Sequence, residues 1–138
     1  MAHTVLKSNS SKDPFGKRLY AQVQQLERFL DTHLDEGEMI DQLLFEGVRS
    51  SHVLTTVGAF CIAKQLQGCK FSPKACFVGA LRWKAWARKN GATSQKFKEI
   101  KGVTALREVG FDVDAYGIES EDAADSCLIF LCWASTHG

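Results

Sequence analysis

No stretch of this sequence is long and apolar enough to cross a bilayer, which takes about 20 residues. The two best candidates, Ser51 to Leu66 and the run CLIFLCWA that begins at Cys127, both stop short. An excess of one charge is also lacking. Seventeen basic against 16 acidic residues leave +1, so there is no general drive toward nucleic acid or anionic lipid, and any such partner needs a local patch. The five cysteines (Cys61, Cys69, Cys76, Cys127, Cys132) are odd in number and irregularly spaced. That argues against a disulfide frame and for small buried hydrophobes in a reducing compartment. The opening MAHTVLKSNSSKD has no apolar core of a signal peptide, and the expectation is an intracellular, cytoplasmic protein. GxSxG, P-loop and GxGxxG patterns are absent, and His3, His33, His52 and His137 stand at no metal-ligand spacing with cysteine or carboxylate. Asp31, Asp35 and Glu38 fall on the polar side and end of an amphipathic helix, where solvated charge is ordinary. The expectation is therefore no enzyme and no cofactor.

What the sequence does hold is helical pattern. Its 138 residues suit one core: residues 1–12 read as a polar tail and 13–138 as a single all-α domain. SHVLTTVGAFCIAKQL, Ser51 to Leu66, places apolar residues on every side at 100° per residue. A helix apolar all round is buried all round, so this stretch is the expected centre of a bundle. Before it, Asp13-Pro14 supplies a cap and a first-turn proline, and Leu19, Val23, Leu26, Leu30 and Leu34 form one apolar stripe of a helix of about five turns. Glu36-Gly37 ends it, and Met39, Ile40, Leu43, Leu44 and Phe45 read as the buried side of a short second helix. Ser72-Pro73 opens, and Asn90-Gly91 closes, a helix whose Trp83 face is expected to pack on the central helix. Short helices over 94–100 and 104–109, a turn-rich GFDVDAYGIES, and a last helix capped by Ser120 with Glu121 and Asp122 in its first turn complete the chain.

At the entry to the central stretch, Leu44-Phe45 followed by Glu46-Gly47-Val48-Arg49-Ser50-Ser51-His52 resembles a segment of the Bcl-2 family of apoptosis regulators: leucine, phenylalanine, any residue, then D-G-V-N-W-G-R. The match is ungapped from Glu46 to His52, with one residue deleted after Phe45. Trp86-Ala87-Arg88-Lys89-Asn90-Gly91-Ala92-Thr93 is similar to that family's W-I-x-x-N-G-G-W, and Phe97 and Glu99 match its following phenylalanine and acidic residue at a one-residue offset. The resemblance covers about residues 38 to 100. It implies a Bcl-2-like bundle with a groove that takes the amphipathic BH-three helix of pro-death partners. Ile40 and Leu44 would line that groove from the short helix, and His52, Thr55 and Ala59 from the central one, with Gly47 leaving room for close approach. A compact chain without a long loop or a transmembrane anchor looks most like the viral members, which suppress host cell death. It would act in the host cytoplasm, with the mitochondrial surface as a peripheral location, and an uncovered groove would invite a homodimer.

The departures from the pattern shape the expectation. Arg49, Ser50, Ser51 and His52 stand where the family has asparagine, tryptophan, glycine and arginine, and no L-x-x-x-G-D precedes them. A neutral imidazole cannot give the two-pronged contact of a guanidinium, so Arg49 is assigned the pairing with the peptide's aspartate. The alternative class is a small helical nucleic-acid-binding protein, using Lys74, Arg82, Lys84, Arg88 and Lys89 on the basic face of the helix 73–90, with Trp83 and Trp86 interleaved. On the groove reading, Arg49→Ala weakens a labelled BH-three peptide by roughly 1–3 kcal/mol in an anisotropy titration. An unchanged affinity removes the assignment.

Overall fold

The computed structural model describes residues 12–38, 40–46, 58–59 and 74–137, and among these it is mostly helical with one small sheet. Helix α1 spans Phe15–His33, strand β1 Gln42–Glu46, strand β2 Lys74–Val78, helix α2 Ala80–Lys89, helix α3 Gly102–Glu108 and helix α4 Glu121–His137, with a 3-10 turn at Phe97–Glu99. Strands β1 and β2 form a two-stranded sheet. The described residues fall into two compact units. One holds 12–38, 40–43, 58–59 and Lys74; the other holds 44–46 and 75–137.

In the first unit, Val23 is the buried residue of the stripe predicted for α1, and Leu19, Leu26, Leu30 and Leu34 are partly buried. Pro14 is itself the N-cap, its carbonyl accepting from the amides of Lys17 and Arg18 (3.0 and 3.1 Å). Asp13, expected as the cap, instead lies 3.7 Å from the ammonium of Lys17. The helix stops at His33, and the chain turns at Gly37, whose φ of +86° suits glycine. Gly58 and Ala59 are helical; the rest of the predicted central helix lies outside the described residues.

The second unit carries the larger core. Trp83, Ala87, Ile100, Ala105, Leu106, Val113, Ile118, Ala124 and Leu128 are all closed to solvent and cluster together. The Trp83 face of α2 is thus buried with residues of α3 and α4, and the partner predicted for it, the central helix, lies outside the described residues. Helix α4 supplies the broadest surface because its middle, Ala123-Ala124 and Cys127-Leu128-Ile129, is buried. Helices α2 and α3 both pack against it. Cys127 and Cys132 are buried free thiols, pushed up from the usual thiol range chiefly by that burial, as expected of inert core cysteines.

Two predicted helices are strands. The short helix expected over 39–45 is replaced by β1, so Leu44 stands in a strand and packs against the core of the second unit. The helix expected to begin at Ser72-Pro73 begins only at Ala80, because 74–78 is β2; Lys74 is therefore on a strand and not on the basic helix. In β2, Val78 is buried and its neighbour Phe77 is exposed, as the two-residue period of a strand requires.

The predicted stop at Asn90-Gly91 is present in full. Ala92 N–H reaches the carbonyl of Ala87 (2.9 Å) and Gly91 N–H that of Arg88 (3.4 Å), the paired bonds of a Schellman turn. Gly91 has φ +118°, and a Cβ there would lie 2.7 Å from the carbonyl oxygen of Glu108, so only glycine fits. The same pair of bonds ends α3 at Gly110. Ser120 caps α4 through Oγ, which accepts from Ala123 N–H (3.3 Å).

Leu128→Ala removes a fully buried side chain and lowers stability by roughly 2–5 kcal/mol. Phe130→Ala, at an exposed position of the same helix, stays within about 0.5 kcal/mol. Urea unfolding of the two variants measures both.

Candidate functional site

In the second unit, carboxylates of β1 and α4 gather in one electrostatic neighbourhood. Glu46 is the last residue of β1, and its Oε1 accepts a hydrogen bond from the buried indole of Trp83 (Nε1 to Oε1, 3.3 Å). Glu121 and Asp122 occupy the first turn of α4, where the helix dipole favours acids. Asp125 lies a turn further on and is half-buried; its Oδ1 accepts the Gly102 N–H at 2.7 Å, satisfying an amide at the start of α3. Gly102 is buried with φ +73°, and a Cβ there would meet the carboxylate of Glu121. Glycine therefore allows the α4 acids and the start of α3 to come together.

The Asp125 carboxyl is raised above the usual carboxylate range. Burial is the main cause, opposed by the Gly102 N–H and reinforced by the negative charges of Glu46, Glu121 and Asp122, in that order. No lysine or arginine pairs with it among the described residues. Glu121 and Asp122 are explained by the helix dipole, whereas Asp125 is half-buried and further disfavoured as an anion by the charges of Glu46, Glu121 and Asp122. Such groups are concentrated at functional sites.

Charge is segregated along this unit. Arg82, Lys84, Arg88, Lys89, Lys96, Lys98 and Lys101 face a single acid, Glu99, between residues 80 and 101. The stretch 111–125 holds Asp112, Asp114, Glu119, Glu121, Asp122 and Asp125 and no lysine or arginine, with Asp114 paired to Arg107 at 2.9 Å. The near-zero total conceals both blocks. Part of the basic block is structural: Lys84 Nζ donates to the Lys98 carbonyl (2.7 Å), and an Arg88 terminal nitrogen donates to the Gln95 carbonyl (2.5 Å). Glu108 holds the same loop from its other side, accepting from the amides of Thr93 and Ser94 (3.2 Å each) and from the Ser94 hydroxyl. These bonds, the Ser94 hydroxyl first, set the Glu108 carboxyl below the usual range.

Of the residues assigned to a peptide groove, only Ile40, Leu44 and Ala59 are described. Gly47, Arg49, His52 and Thr55 lie outside the described residues. Ile40 is half-buried just ahead of β1, and Leu44 packs on a core, so neither lines a groove from a short helix. Ala59 does line a cleft of about 530 Å³ in the first unit, with Gly16, Leu19, Tyr20, Val23 and Arg28 of α1 among its other walls. Glu46 and Asp125 had no signal of their own in the sequence; the two charge blocks did. Among the described residues no three His, Cys, Asp or Glu side chains already stand at metal-ligand spacing. No known protein family, characterised protein or solved structure matches this chain.

Because Asp125 holds its proton more tightly in the folded chain than in the unfolded one, its own contribution to stability grows as pH falls through the carboxylate range and is lost as pH rises, opposite in sign to that of Glu108. Asp125→Asn keeps an acceptor for Gly102 N–H and deletes the charge. Its melting temperature at neutral pH exceeds that of the parent, and the gap closes on acidification, as thermal melts across pH record.

Proposed function

We propose that the second unit binds a divalent cation between the carboxylates of Glu46 and Asp125, with Asp122 beside them, and that it uses this cation to engage and hydrolyse a phosphodiester of nucleic acid. The observation that carries the reading is the half-buried Asp125 carboxylate, fixed by the Gly102 N–H at 2.7 Å and with no lysine or arginine paired to it among the described residues. A hard divalent cation answers that excess of negative oxygen. Magnesium suits the arrangement because it binds through one or two carboxylates and completes its shell with water and substrate phosphate. A ready-made cage of three protein ligands is not required.

Gly102 N–H fixes Asp125, and the Trp83 indole fixes Glu46. Both carboxylates are thereby oriented from the core side, which leaves their remaining oxygens for a ligand. The basic block from Arg82 to Lys101 supplies the attraction for polyanion that the acids alone would repel. In the hydrolysis, a water oxygen bonds to phosphorus as the bond from phosphorus to the leaving sugar oxygen breaks, and that oxygen takes up a proton. A divalent cation held by Glu46 and Asp125 would offset the charge that develops on the phosphate.

A second reading keeps the resemblance to the Bcl-2 family, with a Bcl-2-like bundle that binds BH-three helices and so inhibits apoptosis. One observation favours it: the cleft along α1 that includes Ala59 and carries Arg28 on its wall. The peptide titration with Arg49→Ala decides that reading.

The metal reading is tested by thermal shift. Millimolar Mg²⁺ or Mn²⁺ raises the melting temperature of the parent, by an amount that corresponds to about 2.7 kcal/mol at a hundredfold excess over the dissociation constant. Asp125→Asn and Glu46→Gln lose the shift, and with it the cation-dependent cleavage of a labelled oligonucleotide. A shift equal in parent and variants, or none in the parent, overturns the site.

A further inference from the structure

Helix α4 continues beyond the carboxylates as an exposed ladder. Asp122, Ser126, Phe130, Trp133 and His137 follow one another at spacings of four, four, three and four residues, which places them on one face of the helix. Phe130 is 53 % exposed, a large apolar side chain facing water from a helix whose other side is core. Trp133 is half-buried, with part of its indole against that core. Its ring already stacks on a flat partner: His137 lies nearly parallel, with centroids 4.8 Å apart and planes at 9°, and Phe130 flanks it at 6.4 Å. Beside the stack, the Arg82 guanidinium lies 3.4 Å from Thr136 Oγ1, bringing an exposed cation to the same end of α4. Arg82 is the first residue of the basic block.

We infer that this face is a stacking platform for unpaired nucleotides, running from the carboxylates to His137, so that the nucleic acid engaged by the second unit is single-stranded. The inference rests on the phosphodiester reading above and names its substrate class. Three features select this occupant. The exposed rings of Phe130 and His137, on either side of the half-buried Trp133, offer π-surface that every base can use and that a base-paired duplex cannot reach. Arg82 gives the complementary charge for backbone phosphate at the aromatic end. The distance from Asp122 to His137, about 22 Å at the rise of an α-helix, accommodates several nucleotides between the aromatic rungs and the cation site.

The test is an anisotropy titration of the full chain with labelled oligothymidylate and, separately, with a hairpin duplex, in EDTA and in Mg²⁺. Phe130→Ala and the double variant Phe130→Ala/His137→Ala alter exposed positions and leave the core intact. The platform predicts that oligothymidylate binds in EDTA, that the hairpin binds at least tenfold more weakly, and that the double variant loses roughly tenfold or more in affinity for oligothymidylate. The Mn²⁺ thermal shift stays at its parental value in both variants. Equal affinity for hairpin and single strand, or oligothymidylate affinity untouched by the double variant, overturns the platform. So does a dimer in sedimentation analysis that Phe130→Ala disperses, because the face would then belong to a second copy. Loss of the thermal shift in Asp125→Asn reports on the carboxylate site alone, so failure of the platform and failure of the cation site are read separately.

Discussion

A buried indole N–H has to be given to an acceptor, and here the acceptor is the carboxylate that ends a strand. Trp83 is 1 % exposed, and its side chain fills the centre of the second unit. Its single polar atom would cost about 1–3 kcal/mol if left unpaired in that position. Glu46 removes that cost. The bond ties the end of β1 to α2, and through the shared core to α3 and α4, so the position of one acidic side chain follows from how the largest core residue is satisfied.

The second anchor has the same logic from the opposite direction. The amide of Gly102 is one of the orphan donors at the start of α3, and Asp125 reaches across from α4 to accept it. Gly102 has to be a glycine, since its backbone is left-handed and Glu121 occupies the space of a side chain. Each carboxylate therefore has a structural bond on its inner side. Stability alone would be served better by a neutral amide at 125, which could accept the same hydrogen bond without opposing Glu46, Glu121 and Asp122. The retained charge is what points from packing to ligand chemistry.

The end of α2 and the start of α4 were legible in the sequence because their signals are local, whereas the start read at Ser72-Pro73 was overridden by the strand over 74–78. Ser120 caps α4 and Gly91 ends α2 through their own backbone and hydroxyl chemistry, whatever lies elsewhere in the chain. The strands were illegible for the converse reason. Leu43-Leu44-Phe45 and Cys76-Phe77-Val78 are short apolar runs that fit a helix face or a strand equally well. What decides between them is pairing between β1 and β2, residues some thirty positions apart. The candidate site shares this non-local origin. Glu46 was read as part of a helix-entry motif and Asp125 carried no assignment, and only the fold brings them into one field. The basic helix was legible as charge, but not its use: Lys84 and Arg88 donate to backbone carbonyls of the following loop.

A net charge of +1 would ordinarily argue against a polyanionic partner, and it does so only if the charge is spread evenly. Here seven cations and six carboxylates occupy separate stretches of the sequence within one unit. An acidic cluster without neighbouring cations would repel phosphate, and a basic surface without carboxylates would hold a strand but give a divalent ion no oxygen ligands. On the proposed reading, the carboxylates would localise the cation and the basic block would bring the substrate to it. The total charge of the chain records neither, because the two blocks cancel in the sum while acting at different places on the molecule.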